Sequence, residues 1–246
     1  MNPRRRNLTL DGVVRTWVEV DGHGDTLVLF LHGLRQSGNV ARAFTGHTFD
    51  SLAERGCTVV YPDALHRRFN ALDPGSGSDD VGFLTELIGL YRPRRVIGCG
   101  FSNGGQMLVR LLFDAPGALH GIATFGTPLP ALNTMPARPG NWVPTPVLSV
   151  HGTADPLVPY LPGERPGALQ SAAFLAALSG SGEHAVEQPS PGLRRDTWSG
   201  GSAPVELWSV EGMGHVVPAP VALDERLGPG TDLVVGAELV GRFFSL

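Results

Sequence analysis

One stretch, Val96-Ile97-Gly98-Cys99-Gly100-Phe101-Ser102-Asn103-Gly104-Gly105-Gln106-Met107, constrains the rest of the chain. Its first half reads as a buried strand and its second half as the start of a helix, with a serine at the corner. Gly100-Phe101-Ser102-Asn103-Gly104 fits G-x-S-x-G, the sharp turn that holds a nucleophilic serine in strained backbone geometry above a parallel sheet. The flanking glycines have a steric reason: a side chain at 100 or 104 would collide where strand and helix fold back on each other. With 33 glycines in 246 residues the pattern alone is weak. It occurs once, however, and in a strand–turn–helix context. A serine there needs a base and a group to orient that base, both of which the rest of the chain must supply.

The length suits one α/β domain, 1–246, with modest insertions and a core large enough to bury much of its surface. A net charge of −4 with mixed signs carries no footprint for nucleic acid. Arg4-Arg5-Arg6 reads as a solvated tail. Polar residues follow it at once, so no signal peptide is expected, and no apolar window is long enough for a membrane span. The two cysteines, Cys57 and Cys99, fall in expected strands and point to a reducing compartment.

In chain order, 13–20 reads as an antiparallel strand at the sheet edge. Residues 26–31 form a continuous apolar run, as in a strand buried on both faces. It ends in His32-Gly33-Leu34, a glycine-bearing loop past the carboxyl end of a central strand, where such folds place ligands. A short helix over 49–55 and a strand over 57–61 follow, then a polar loop over 64–78 with Pro74, Gly75 and Gly77. The next helix spans 79–90, and Asp79 and Asp80 fit its cap and first turn better than a catalytic role. After the serine corner come a helix over 106–113, a strand over 121–126 and a proline-rich irregular cap over 127–146. A strand over 147–150 precedes His151-Gly152-Thr153-Ala154-Asp155, and 168–178 is helical. Residues 180–203 read as a mobile Gly/Ser/Pro-rich insertion, 205–210 as the last strand and 232–244 as the closing helix. Strands alternating with helices give an α/β fold with a mostly parallel central sheet flanked by helices and an antiparallel N-terminal edge.

Of eight histidines, His32, His151 and His215 follow expected inner strands. In the order serine, acid, histidine, only His215 leaves room for an acid after Ser102, and Asp155 lies in the intervening strand-end loop. The expected triad is Ser102, Asp155 and His215. His32 is read as holding its loop through hydrogen bonds and His151 as positioning the acid loop. Asp196 and Asp224 are rival acids outside strand ends. The backbone N–H groups of Leu34 and Asn103 would form the oxyanion hole. Phe101, Trp142, Leu157 and Met213 are candidate pocket walls. Arg67 and Arg68 could meet an anionic substrate, although a solvated pair is the simpler reading.

The stretches LVLFLHGLRQSG, VVYPDA, DDVGFLTELI, VIGCGFSNGGQM, VLSVHGTADPLVPY and PVELWSVEGMGH resemble the polyhydroxybutyrate depolymerase and feruloyl esterase-like family of α/β hydrolases. The resemblance covers most of the chain in order. It implies the α/β-hydrolase fold, a triad at Ser102, Asp155 and His215, no metal or organic cofactor, and a small-molecule ester substrate. The chain departs from the family at Leu34, where a cysteine is common, and at Val216-Val217-Pro218, where Trp-Pro is common. It also lacks the secretion signal and paired cysteines. These departures argue against polymer or plant-cell-wall substrates, which lie outside cells, and a cytoplasmic protein is expected. GFSxGG and GMGH also resemble the carboxylesterase and acyl-thioesterase branch. Alternatives are a thioesterase, an acyl transferase or cyclase using the same acyl-enzyme, and a binding protein that has kept the fold. The resemblance also puts the strand of Leu27 to Leu31 between those of Cys57 and Cys99. Two strand spacings, roughly 10 Å, are too wide for a disulfide, so both thiols are expected to be free.

Overall fold

The computed structural model describes residues 2–72 and 77–246; Pro74 and Gly75 of the expected polar loop lie outside the described residues. In chain order the strands and α-helices are β1 (Arg4–Leu10), β2 (Val13–Val20), β3 (Thr26–Leu31), α1 (Gly38–Phe44), α2 (Ser51–Glu54), β4 (Cys57–Pro62), α3 (Asp80–Tyr91), β5 (Arg95–Phe101), α4 (Asn103–Asp114), β6 (Gly121–Phe125), β7 (Val147–Gly152), α5 (Ala168–Leu178), β8 (Glu183–Ser190), β9 (Leu193–Ser199), β10 (Val205–Val210) and α6 (Gly236–Phe244). Among the described residues the strands form one sheet in the order β1-β2-β4-β3-β5-β6-β7-β10-β9-β8. The run from β4 to β10 is parallel, and both ends are antiparallel.

The inner strands are mostly apolar because both faces are covered, with Thr58, Thr124 and Ser149 among the polar exceptions. Alternation along β3 divides its side chains between two cores. Leu27, Leu29 and Leu31 join Phe83 and Leu87 of α3 and Leu108 and Leu111 of α4, while Val28 and Phe30 join Phe49, Leu52 of α2, and Val240 and Phe244 of α6. The chain leaves β3 towards β4 and returns on the other side as β5. The carboxyl ends of β3 and β5 therefore meet at a reversal of strand order, where open α/β sheets form their ligand crevice. Leu31-His32 and Phe101-Ser102 lie there.

Three segments differ from the sequence expectation. Arg4-Arg5-Arg6 is the start of edge strand β1, where Arg5 pairs with Asp63 at 2.8 Å and Arg6 with Glu19 at 2.9 Å. Helix α1, capped by the Ser37 hydroxyl, was not expected, since it opens on glycine and asparagine. Residues 180–203 contain the β8–β9 hairpin, turning at Pro191-Gly192 and pairing with β10. Its polarity has an edge-strand cause: β9 buries Leu193, Asp196 and Trp198 while β8 is exposed along its length and polar, which keeps other chains from adding to it. The segment 127–146 carries a single short 3-10 turn, Leu132–Thr134. Cys57 and Cys99 are buried free thiols on β4 and β5, on either side of β3.

Asp79 accepts the Gly82 N–H and caps α3. Asp80 is fully buried, paired with the almost fully buried Arg15 at 2.5 Å, and also accepts the Asn70 N–H and the Ser78 hydroxyl. The Arg15 guanidinium lies over the Phe83 ring, 3.8 Å from its centre. Removing one member strands the other charge in a dry environment. Asp80→Ala is expected to cost about 3 to 5 kcal/mol of stability, whereas Arg15→Met with Asp80→Leu should cost much less, read from urea unfolding midpoints.

Candidate active site

Ser102 sits between β5 and α4 with φ +50° and ψ −112°, a left-handed backbone that non-glycine residues adopt only under constraint. The constraint is visible on both sides. Its N–H donates to the Phe125 carbonyl at 2.9 Å, and its carbonyl accepts the Gln106 N–H at 3.1 Å. A Cβ on Gly104 would come 2.1 Å from the Leu31 carbonyl oxygen, and one on Gly100 would come 2.6 Å from the Gly104 carbonyl carbon. The glycines are therefore required by close packing of β3, β5 and α4. The serine remains partly exposed at the corner.

Asp155 and His215 lie in the loops after β7 and β10, neighbouring parallel strands. His215 Nδ1 is 2.6 Å from Asp155 Oδ2, and both residues are buried. The other carboxylate oxygen accepts the N–H groups of Leu157 at 2.9 Å and Val158 at 2.7 Å. Burial alone would raise the Asp155 pKa, but the His215 hydrogen bond and these backbone donors outweigh it and hold the carboxyl below its usual range. A carboxylate can only accept, so Nδ1 carries the proton and Nε2 is left as the basic nitrogen. Gly126, at the end of β6, has φ +51°, and a Cβ there would lie 3.0 Å from His215 Nδ1 and 3.4 Å from Asp155 Oδ2. The His–Asp pair and the Ser102 backbone thus converge on Phe125-Gly126.

Because the Asp155 pKa is depressed in the native state, its contribution to stability is complete above the unfolded carboxylate value near pH 4. That contribution is lost as pH falls through the native value. Between about pH 5 and pH 3 the wild type should lose stability faster than Asp155→Asn, measured by urea midpoint at each pH.

His32 is fully buried. Its Nε2 accepts the Ala64 N–H at 3.1 Å, its Nδ1 is 2.7 Å from the Gly33 carbonyl, and burial pushes its pKa down. It is a neutral clamp on the loop. His151, also shifted down by burial, donates from Nε2 to the Val158 carbonyl at 2.9 Å and fixes the acid loop from below. The Leu34 N–H has no acceptor among the described residues, and Asn103, as first residue of α4, has an N–H with no preceding turn to bond.

The four expected walls are placed differently from one another. Phe101 is buried against His215, with ring centres 4.8 Å apart, and against Phe44 at 4.9 Å; a Cβ on Gly33 would touch its ring at 2.7 Å. It is a support shared by the histidine and the His32-Gly33 loop. Leu157 is exposed and lines a cavity of about 440 Å³ with Pro128, Val158 and Pro159. Met213 is 1% exposed and belongs to the core, so no wall is formed by its side chain. Trp142 packs on Phe113, ring centres 5.1 Å apart, behind a second cavity of about 460 Å³ that Phe113 lines. That cavity is mainly apolar, with Leu72, Val109, Leu129 and Met135, and it includes Gln106, one turn after Ser102. The rival acids are engaged elsewhere: Asp196 with Arg194 and His184 in the hairpin, Asp224 with Arg226 at the surface.

Two polar side chains were missed from sequence. Asn103 accepts the Phe69 N–H at 2.8 Å and donates to the Phe69 carbonyl at 3.1 Å, and Gln106 donates to the Pro128 carbonyl at 2.9 Å. Their signal was available: they are the amides of an otherwise apolar helix start. Asn103→Ala is expected to lower the kcat of any ester turnover by roughly tenfold, through loosening of the Phe69 segment that its side chain holds. Recovery in Asn103→Ala to wild-type kcat would show the clamp to be dispensable.

Residues 85–177, from α3 to α5, match a family model described as "Phospholipase/Carboxylesterase", a stretch that holds Ser102 and Asp155. A relative from Nocardia uniformis subsp. tsuyamanensis, named "Putative esterase NocK", is 32% identical over 148 residues. That match covers 56% of this chain and 42% of the relative, so the chain spans about two fifths of the curated relative it matches. Among solved structures, an acetyl xylan esterase from Aspergillus awamori superposes with a TM-score of 0.67 at 13% identity, covering 88% of this chain and 96% of that one. Esterase PE8 gives a TM-score of 0.61 at 19% identity, over 100% and 99% of the two chains. The fold is that of the α/β hydrolases. No helix among the described residues is long and apolar enough to cross a membrane.

Proposed function

We propose that the chain is a serine hydrolase of carboxylic esters, working through an acyl-enzyme on Ser102. The observation that carries this reading is the 2.6 Å Asp155–His215 hydrogen bond beside a serine held at φ +50°. In this reading His215 Nε2 takes the Ser102 hydroxyl proton as Oγ attacks the ester carbonyl. The N–H groups of Leu34 and Asn103 receive the developing oxyanion. The same proton passes from His215 to the departing alcohol as the acyl–oxygen bond breaks. A water molecule, deprotonated by His215, then attacks the acyl-enzyme, and the acid leaves with Ser102 restored. Asp155 holds the imidazole in the Nδ1–H tautomer and stabilises the imidazolium that forms twice per cycle. The match to the carboxylesterase description and the 32% identity to NocK support the reaction class. The apolar cavity beside Gln106 has a volume suited to a short or medium acyl chain or an aryl group.

The test is a turnover panel of p-nitrophenyl butyrate, methyl ferulate, a 3-hydroxybutyrate dimer and a short acyl-CoA thioester. Ester turnover is the expected result. Preference for the ferulate or hydroxybutyrate would return the chain to the family its sequence resembles, and preference for the thioester to the thioesterase branch. A folded protein that turns over none of them contradicts the proposal.

A further inference from the structure

Two cavities of similar size share one dividing wall near the serine corner. Pro128 lines the first, of about 440 Å³, while Leu129 and Pro130 line the second, of about 460 Å³. The position of the wall follows from the triad outward. The Phe125 carbonyl accepts the Ser102 N–H, Gly126 packs against the His215 ring, and the Thr127 hydroxyl occupies the space a Cβ on Gly105 would need. Pro128 comes three residues after Phe125, so the reach of the chain keeps it within roughly 11 Å of that carbonyl. Its own carbonyl accepts the Gln106 side-chain N–H at 2.9 Å, and the Gln106 backbone N–H donates to the Ser102 carbonyl. Gln106 thus ties the dividing wall to the first turn of the helix that starts at the serine.

The first cavity belongs to the acid side. Leu157 and Val158, which line it, donate the two backbone N–H groups that hold Asp155. The chain then runs through Pro159 and Leu161 and closes on itself where the Ala168 N–H donates to the Tyr160 carbonyl at 2.9 Å. Pro156, Pro159, Pro162 and Pro166 fix backbone angles along this loop, so its shape is largely set before any ligand arrives. Leu157 and Leu161 are 59% and 71% exposed on it, apolar surface that a ligand would cover with a gain. The charged residues at this cavity, Glu164 and Arg165, are of opposite sign. The second cavity belongs to the helix side, lined by Gln106, Val109 and Phe113 of α4 and by Met135. Its charged residues, Arg110 and Asp114, pair with each other at 2.7 Å. Neither cavity presents a net charge.

We propose that the two cavities are the two arms of the substrate site, with the alcohol group of the ester in the Leu157 cavity and the acyl group in the Val109 cavity. The substrate is then a neutral ester with an apolar group of several carbons on each side. The proposal rests on the serine-hydrolase reading, which sets the direction. In that reading His215 delivers its proton to the departing alcohol, so the alcohol lies towards the loop that carries Asp155, the partner of His215. The carbonyl oxygen turns to the Asn103 N–H at the head of α4, and the acyl group continues along that helix.

The experiment measures binding of four stable amides to the whole protein by ligand-observed NMR. N-methylbutanamide and N-methylhexanamide differ in length on the acyl side, N-butylacetamide and N-hexylacetamide on the amine side, which stands in for the alcohol. Two further methylenes entering an apolar cavity are expected to tighten binding about tenfold within each pair. Met135→Asn should cut that gain to about twofold for the acyl pair alone, and Leu157→Asn for the amine pair alone. Both side chains are at least partly exposed, so neither substitution opens a hole in the core. The absence of any gain on the amine side in the wild type overturns the proposal without recourse to a variant. Loss of both gains in Met135→Asn with neither lost in Leu157→Asn also overturns it, because both ends would then occupy one cavity. Binding needs no turnover, so failure of the ester panel and failure of this pattern are separate results.

Discussion

Asp155→Asn is expected to lower kcat for ester turnover by about four orders of magnitude while the protein remains folded. The size follows from what the carboxylate does. In the wild type, Oδ1 is saturated by the Leu157 and Val158 N–H groups, so Oδ2 alone faces His215 Nδ1. An asparagine that keeps its oxygen on the two backbone donors must turn its NH2 towards the imidazole. The imidazole then accepts at Nδ1 and carries its proton on Nε2, the wrong tautomer for taking a proton from Ser102. Reversing the amide instead sets its NH2 against two N–H groups. Neither arrangement supplies the negative charge that stabilises an imidazolium in a buried site. The variant should therefore fail in kcat with little change in KM, since substrate contacts are untouched. A loss under about tenfold would remove Asp155 from the mechanism.

Ser102→Ala is expected to have the larger effect, on the order of a millionfold in kcat, because it removes the atom proposed to carry the acyl group. Its structural consequence should be small. The strained backbone is fixed by Phe125, Gln106 and the glycine packing at 100 and 104, none of which uses the hydroxyl. The urea midpoint should hold or rise, since active-site residues are often kept at some cost in stability. Activity surviving Ser102→Ala would remove Ser102 from the proposed mechanism.

How much of this was legible in the sequence depends on what each residue answers to. Strand-end positions for a candidate serine, acid and histidine were readable because the proposed mechanism asks for them in one chain order, and the largely apolar runs of β3 to β7 were readable because burial on both faces leaves few polar positions. The β8–β9 hairpin was not. An edge strand with exposed Glu183, His184 and Glu187 has the composition of a loop, and only its pairing with β9 makes it a strand. Arg4 to Arg6 failed for the same reason at the other edge. Met213 failed because an apolar side chain reads alike whether it lines a cavity or fills a core. The Asn103 clamp on Phe69 spans 34 positions in sequence, and no local pattern announces a partner so distant.

The central claim, that Ser102 is the nucleophile of an acyl-enzyme, is tested most directly by labelling with a fluorophosphonate and locating the adduct by peptide mass spectrometry. The account predicts one adduct per chain, on the peptide containing Ser102, formed in step with loss of ester turnover and absent from Ser102→Ala. An adduct on another residue, or full turnover with Ser102 unlabelled, would contradict it.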